Sequence, residues 1–245
     1  MKIAIINFSG NVGKSTLARH VLMPRIPDAE LIAVESINAD DGPEQTVRGR
    51  QFAALQEYLL TIDSAIVDIG ASNVEELLHL MKAFRGSHQD FDCFIVPTVP
   101  SLKQQKDTIA TLIELSRLGI HPQRLKLVFN MAEPGEPIEE SFGLVLDFIA
   151  EQPIAEANTA CRIHFNDIYA RVRDRSANLR ELAADQTNYK AMIAKSCGSD
   201  EKIALARKVC NRRLAKGAVP DHDACFAALG LSELASQSGE LMEHA

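Results

Sequence analysis

Residues 3–20, Ile-Ala-Ile-Ile-Asn-Phe-Ser-Gly-Asn-Val-Gly-Lys-Ser-Thr-Leu-Ala-Arg-His, read as a buried strand, a loop of small residues and the start of a helix. No other stretch constrains the fold as much. A strand that feeds a helix through a short loop commits the chain to a βα unit, and the next parallel strand must follow by a crossover. Such a loop turns successive backbone N–H groups inward, and the helix behind it adds the positive end of its dipole. The combination is a seat for phosphate.

Set against the pattern G-x-x-x-x-G-K-[ST], the segment has Phe8 where the first glycine belongs and keeps Gly10, Gly13, Lys14, Ser15 and Thr16. Asn11 stands between the two glycines, and asparagine visits left-handed backbone angles at modest cost, so it can serve as a glycine there. The nucleotide-binding candidates are Gly10, Asn11, Val12, Gly13, Lys14, Ser15 and Thr16. Lys14 would reach the β- and γ-phosphates, and the Ser15 hydroxyl would complete a Mg²⁺ shell.

The same βα rhythm continues along the chain. Glu30–Glu35 reads as a second strand after a helix that stops before Pro24 and Pro27, Asn38–Glu44 as a loop, and Arg50–Leu60 as a helix with Phe52, Leu55 and Leu59 at helical spacing. Ala65–Ile69 is a third apolar run of strand length. Ser72 and Glu75 have capping-box spacing, which predicts a helix carrying Leu77, Leu78, Met81 and Phe84 inward. Phe94–Val99 is a strand, Leu102–Leu118 a helix ending at Gly119, and Leu125–Asn130 a further strand. Residues 141–195 read as largely helical, and the last 50 as helical with breaks at Gly198, Gly217 and Pro220. The expected fold is a doubly wound α/β domain, a mostly parallel sheet flanked by helices, over residues 1–195, with a helical C-terminal extension over 196–245.

Composition limits the chemistry. With 245 residues and 46% hydrophobic content the chain can bury one large core. Its five cysteines are an odd number without a C-x-x-C pair, and no cleavable leader precedes the first strand, which points to a reducing cytoplasm. His222 and Cys225 have the spacing of two metal ligands, but no second close pair completes a zinc set. No apolar run approaches the roughly 18–20 residues a membrane span needs.

The net charge of −7 is unevenly spread. Residues 1–161 hold 13 Lys and Arg against 22 Asp and Glu, residues 162–216 hold 13 against 6, and residues 217–245 hold none against 5. The basic segment 162–216 could be a footprint for DNA or for an acidic partner, or a set of solvated helix faces.

Carboxylates at strand ends extend the phosphate site. Asp68 closes an apolar strand ahead of Gly70, at the edge where open parallel sheets bind ligands. It is the candidate Mg²⁺ ligand and catalytic carboxylate, and the Gly70 N–H could face a γ-phosphate. Glu35, at the end of the second strand, could orient or deprotonate an attacking water, with Asp40 and Asp41 as competitors for that role. Asn130, ending a later strand, carries an amide that can pair with the adenine N6/N7 edge. A guanine-reading N-K-x-D is only half met, since Met131 and Glu133 hold the Lys and Asp positions.

Together these residues resemble the ParA/MinD superfamily of deviant Walker A ATPases over residues 1–195. Ser-Gly-Asn-Val-Gly-Lys-Ser-Thr stands for the Walker A loop and Ile-Val-Asp-Ile-Gly-Ala-Ser for the Walker B strand, with Ile-Val-Pro-Thr-Val-Pro-Ser and Val-Phe-Asn following in order. The chain is most similar to the StbB-type branch, associated with plasmid stability, partition or positioning, and conjugation. The resemblance implies ATP and Mg²⁺ as cofactors, Lys14 and Asp68 in catalysis, Ser15 and Asp68 at the metal, and Asn130 at the base. It also implies a nucleotide-dependent homodimer and a DNA-binding partner protein or DNA itself. The family's signature lysine is Ser9 here, so hydrolysis is expected to be slow or to depend on a cation from elsewhere, such as Arg48, Arg50 or a partner. A tail without Lys or Arg argues against direct membrane binding. Two alternatives stay open, a non-hydrolysing nucleotide-bound adaptor and a small-molecule P-loop kinase.

Overall fold

The computed structural model describes residues 1–34, 44–172 and 178–231, the stretch 44–50 as backbone alone. Glu35, Asp40 and Asp41 lie outside these residues, and Arg48 and Arg50 are described only in their backbone.

Six strands form one parallel sheet in the order β2-β3-β1-β4-β5-β6. They are β1 (Lys2–Ile5), β2 (Glu30–Val34), β3 (Ala65–Ile69), β4 (Cys93–Thr98), β5 (Leu125–Ala132) and β6 (Arg162–His164). The interior strands are apolar and buried on both faces, as parallel strands covered by crossover helices must be. The chain is therefore a doubly wound α/β protein. Strand order reverses between β1 and β4, so the carboxyl end of β1 opens onto the switch point where such sheets take ligands.

Period-2 alternation sorts β1 between two cores. Ala4 and Ile6 join Val67, Phe94, Val96 and Phe129 under α2 (Glu44–Thr61), α3 (Val74–Ala83), α4 (Leu102–Arg117) and α5 (Ile138–Glu151). Ile3 and Ile5 face the other way, against Leu17, Val21 and Leu22 of α1, which combines an α-helical turn (Lys14–Thr16) and a π-helical stretch (Leu17–Leu22). Each fully buried Ile, Leu or Phe here contributes on the order of 1.5–3 kcal/mol by leaving water.

The chain after β6 forms α6 (Ile168–Arg171), α7 (Leu179–Ala184), α8 (Tyr189–Lys195) and the long α9 (Ser199–Ala228). Ile168, Leu179, Ala215 and Ala218 make a small cluster there. Cys225, Leu229 and Leu231 enter the core shared by Ile3 and Ile5, so the end of α9 packs on the same face as α1.

Three local expectations are corrected. Residues 141–195 include strand β6, whose three residues Arg162, Ile163 and His164 are too few to leave a periodic signal. Helix α9 runs unbroken through Gly217 and Pro220. A proline inside a helix removes one hydrogen bond and crowds the preceding turn, yet Ala215 and Ala218 before it and His222 and Cys225 after it are all buried and hold both halves in line. Ser72 and Glu75 form no capping box. A 3-10 turn, Ala71–Asn73, precedes α3, and the Asn73 amide donates to the Val34 carbonyl instead.

Candidate functional site

The loop that leaves β1 is fastened from three sides. The fully buried Asn7 amide donates to the Pro97 carbonyl at the end of β4 and to Thr108 Oγ1 on α4, both at 2.8 Å, and its oxygen accepts from the Ser9 N–H at 2.7 Å. The Phe8 N–H donates to Thr111 Oγ1 at 3.1 Å. The Ser9 hydroxyl donates to Asp107, also on α4. Phe8 itself packs against the core below. The apolar ring at the missing first glycine is thus absorbed by packing.

Two residues of the loop take left-handed backbone angles. Asn11 has φ 58°, the conformation expected of it, and Gly13 has φ 89°. Gly13 is required twice over, because a Cβ there would meet the Asn130 amide nitrogen at 2.0 Å. Asn130 is 3% exposed, and its Nδ2 donates to the Val12 carbonyl at 2.9 Å. The amide expected to read a base edge thus braces the loop from below.

Lys14 follows as the first residue of α1 and is buried beneath the loop. Its Nζ donates to the carbonyls of Ser9 at 2.8 Å and Asn7 at 3.1 Å. An ammonium has three N–H donors, so one remains for a ligand. Burial pulls its pKa below the ordinary lysine value, and the nearby charge of Asp68 partly opposes this. Asp68 sits on β3 in register with Ile5, one strand over from the loop, and is 6% exposed. The Gly70 N–H, expected to face a γ-phosphate, is bonded to the Val34 carbonyl at 3.1 Å.

Above these groups lies a groove of about 400 Å³, lined by Gly10, Asn11, Gly13, Lys14, Ser15, Thr16, Ala71 and Met131. It gathers six of the seven loop candidates, with Val12 buried behind it. A second hollow of about 220 Å³ continues from it past Thr16, Asn130 and Met131 to His164, Phe165, Asn166, Asp167, Tyr169 and Ala170. A hydroxyl on the groove wall, an ammonium below and a carboxylate beside them suit a triphosphate with a hard divalent cation, for which oxygen ligands are the right donors. Among the described residues, no three His, Cys, Asp or Glu side chains converge on a metal site. His222 Nε2 is hydrogen-bonded to the Tyr169 hydroxyl at 2.5 Å.

Sequence reasoning missed Asn7, Asp107 and the residues after β6. Asn7 and Asp107 are polar residues in ordinary-looking contexts, and their partners lie about 100 residues away in the chain. Only β6, itself unread, brings Phe165 and Asp167 to the site.

The chain matches no protein-family model and no curated protein. Among solved structures it is similar to apo McdA from Cyanothece, at 15% identity and a TM-score of 0.49 over 89% of this chain and 98% of that one. It is also similar to the ATP complex of a singly substituted Cyanothece McdA, at 14% identity and a TM-score of 0.46 over 88% of this chain and 96% of that one.

Proposed function

We propose that this chain is a ParA/MinD-like ATP-binding protein that works with Mg²⁺ as a slow or partner-dependent ATPase. One observation carries the reading: Lys14 lies under a loop held in left-handed angles at Asn11 and Gly13, beside Asp68, at the switch point of a parallel sheet. Gly10 to Gly13 offer backbone donors to phosphate, and Lys14 turns its remaining N–H toward the β- and γ-phosphates. Ser15 and Asp68 are the residues that would hold Mg²⁺, which when bound neutralises charge developing on the phosphates. Glu35 stays the proposed orienter of the attacking water.

Ser9 supplies no cation in trans, and its hydroxyl is tied to the Asp107 carboxylate. That pairing favours a second reading beside slow hydrolysis, an adaptor in which bound nucleotide sets the shape of the protein and turns over only when a partner brings an arginine or lysine. In either case we infer a cytoplasmic, nucleotide-dependent homodimer serving plasmid stability, partition or positioning, with a link to conjugation. DNA or a DNA-binding partner would be met by the basic segment 162–216. Lys202, Arg207, Lys208 and Arg213 are exposed along α9. Arg180 and Arg212 are occupied by Asp223 and by the Asp185 and Thr187 carbonyls. Among the described residues no helix is long and apolar enough to cross a membrane.

The test is titration of the purified protein with ATP in the presence and absence of Mg²⁺, with turnover measured alone, with DNA and with candidate partners. Saturable Mg²⁺-dependent ATP binding supports the reading. Absence of binding, or binding untouched by Lys14→Ala, overturns it. DNA affinity that falls steeply with salt supports the electrostatic role of the basic segment, because phosphate contacts release counterions.

A further inference from the structure

We infer that α5 is a two-position element with Gln105 of α4 as its removable wedge, and that phosphate held on the loop after β1 favours the position with the wedge in place. This regulation of the site rests on the nucleotide reading above.

Helix α5 breaks at Phe142, whose φ of −122° and ψ of 19° are not helical. Three residues on, the Val145 N–H donates to Gln105 Oε1 at 3.2 Å, and Gln105 Nε2 donates to the Ser141 carbonyl at 2.9 Å. Ser141 and Val145 stand four apart, so this carbonyl and this N–H are a pair that a regular α-helix joins directly. A side chain from the neighbouring helix serves both halves of that rung, and a side chain inserted into the ladder is a known cause of a sharp kink. Gln105 Nε2 also donates to the Pro100 carbonyl at 2.8 Å, ahead of α4. The wedge is dry: Gln105 is 1% exposed, and Phe142 and Val145 are fully buried. Because Ser141 and Val145 can satisfy each other, withdrawal of the amide orphans no backbone group of α5. A Cβ added at Gly143 would meet nothing within 4 Å beyond its own helix among the described residues, so there is room beside the break.

Both sides of the wedge lead to the candidate phosphate loop. On α4 the residues after Gln105 include Asp107, Thr108 and Thr111, which accept from the Ser9 hydroxyl, the Asn7 amide and the Phe8 N–H. On α5 the Phe142 ring packs edge-on against Phe129 of β5 at 5.1 Å between centroids, and Phe129 precedes Asn130, the brace under Val12. Close-packed interiors pass between discrete arrangements rather than deforming smoothly, so wedge in and wedge out are separate states. Phosphate would touch the backbone that these anchors hold. It shifts the two states by the difference between its affinity for the held loop and for the released one.

The experiment measures ligand affinity and the amide hydrogen exchange of α5 in wild type and Gln105→Met, with Mg²⁺–ATP, inorganic triphosphate and adenosine as the probes. In the wild type, exchange at Val145 should slow by about tenfold or more on saturation with ATP or triphosphate, and not with adenosine, because the coupling enters through the phosphates. Gln105→Met fills the same space without an amide. Its Val145 exchange should be no faster than in the ligand-free wild type, since Ser141 takes the N–H, and should no longer respond to triphosphate, whose affinity should fall several-fold. Exchange at Val145 that becomes about tenfold faster in Gln105→Met would make the amide a fixed bracket and overturn the wedge. ATP binding that leaves Val145 exchange unchanged in the wild type overturns the switch and leaves the nucleotide reading standing, a result that needs no variant to fold. Failure of both ATP and triphosphate to bind overturns the nucleotide reading itself, and the coupling with it.

Discussion

The Asn130 amide nitrogen donates to the Val12 carbonyl at 2.9 Å and occupies the space that a side chain at Gly13 would need. Strand β5 thereby fixes the height of the loop that leaves β1. Asn130→Asp replaces the donor by an acceptor facing a carbonyl, in a place with almost no water. The expected result is a loss of about 1–3 kcal/mol of stability in urea unfolding, the cost of a buried polar group left unpaired, together with weaker ATP binding. Stability equal to wild type would show that the amide contributes nothing to the loop.

Lys14 separates stability from function. Its ammonium is buried, and burial disfavours its charged form, so the folded state bears a desolvation cost that only two carbonyls and the charge of Asp68 offset. Lys14→Met keeps the stem and removes the charge. Thermal unfolding should stay at or above the wild-type midpoint, while ATP affinity falls by about 10- to 100-fold, the range expected for a lost charge-assisted hydrogen bond. A variant that unfolds earlier and still binds ATP contradicts both halves.

The Ser9–Asp107 pair places a negative charge beside the loop proposed to receive the triphosphate. Asp107→Asn keeps an acceptor for the Ser9 hydroxyl and removes that charge. ATP affinity should then rise by a few fold at low salt, more than ADP affinity, and the gain should shrink as ionic strength screens it. Isothermal titration at two salt concentrations checks this. An unchanged ratio of ATP to ADP affinity would mean that Asp107 acts on the loop only through its hydrogen bond.

Much of this architecture was legible because it is local. Interior strands announce themselves as apolar runs, and the candidate phosphate loop fits in one βα turn, down to the left-handed angle of Asn11. What escaped depends on distance along the chain. Asn7 finds Thr108 and Pro97, and Gly70 finds Val34, neither of which a spacing rule connects. Helix α9 defied its Gly217 and Pro220 because tertiary packing outweighs the few kcal/mol of local propensity. Strand β6 was too short to register, and with it went the half of the groove that holds Phe165 and Asp167.

The contact between α9 and the rest of the fold makes stability depend on pH. His222 is 1% exposed, is hydrogen-bonded at 2.5 Å to the Tyr169 hydroxyl and stacks on His20 of α1 at 6.4 Å between ring centroids. Burial first, then the charges of Arg25 and His20, bring the His222 pKa down to about 4, against the raising influence of Asp221 and Asp223. Burial and Arg19 shift His20 the same way. A depressed folded-state pKa means that the unfolded chain takes up protons first, so stability is full above the unfolded value of about 6.5 and is lost as pH falls toward 4. Between pH 8 and pH 5 the His222 contribution amounts to about 2 kcal/mol. Urea unfolding at those two pH values should give a lower midpoint at pH 5, and His222→Gln, which does not titrate and keeps an acceptor near Tyr169, should reduce the difference. His20 leaves a residual slope. A pH dependence identical in wild type and His222→Gln would mean that α9 is held to α1 without the imidazole.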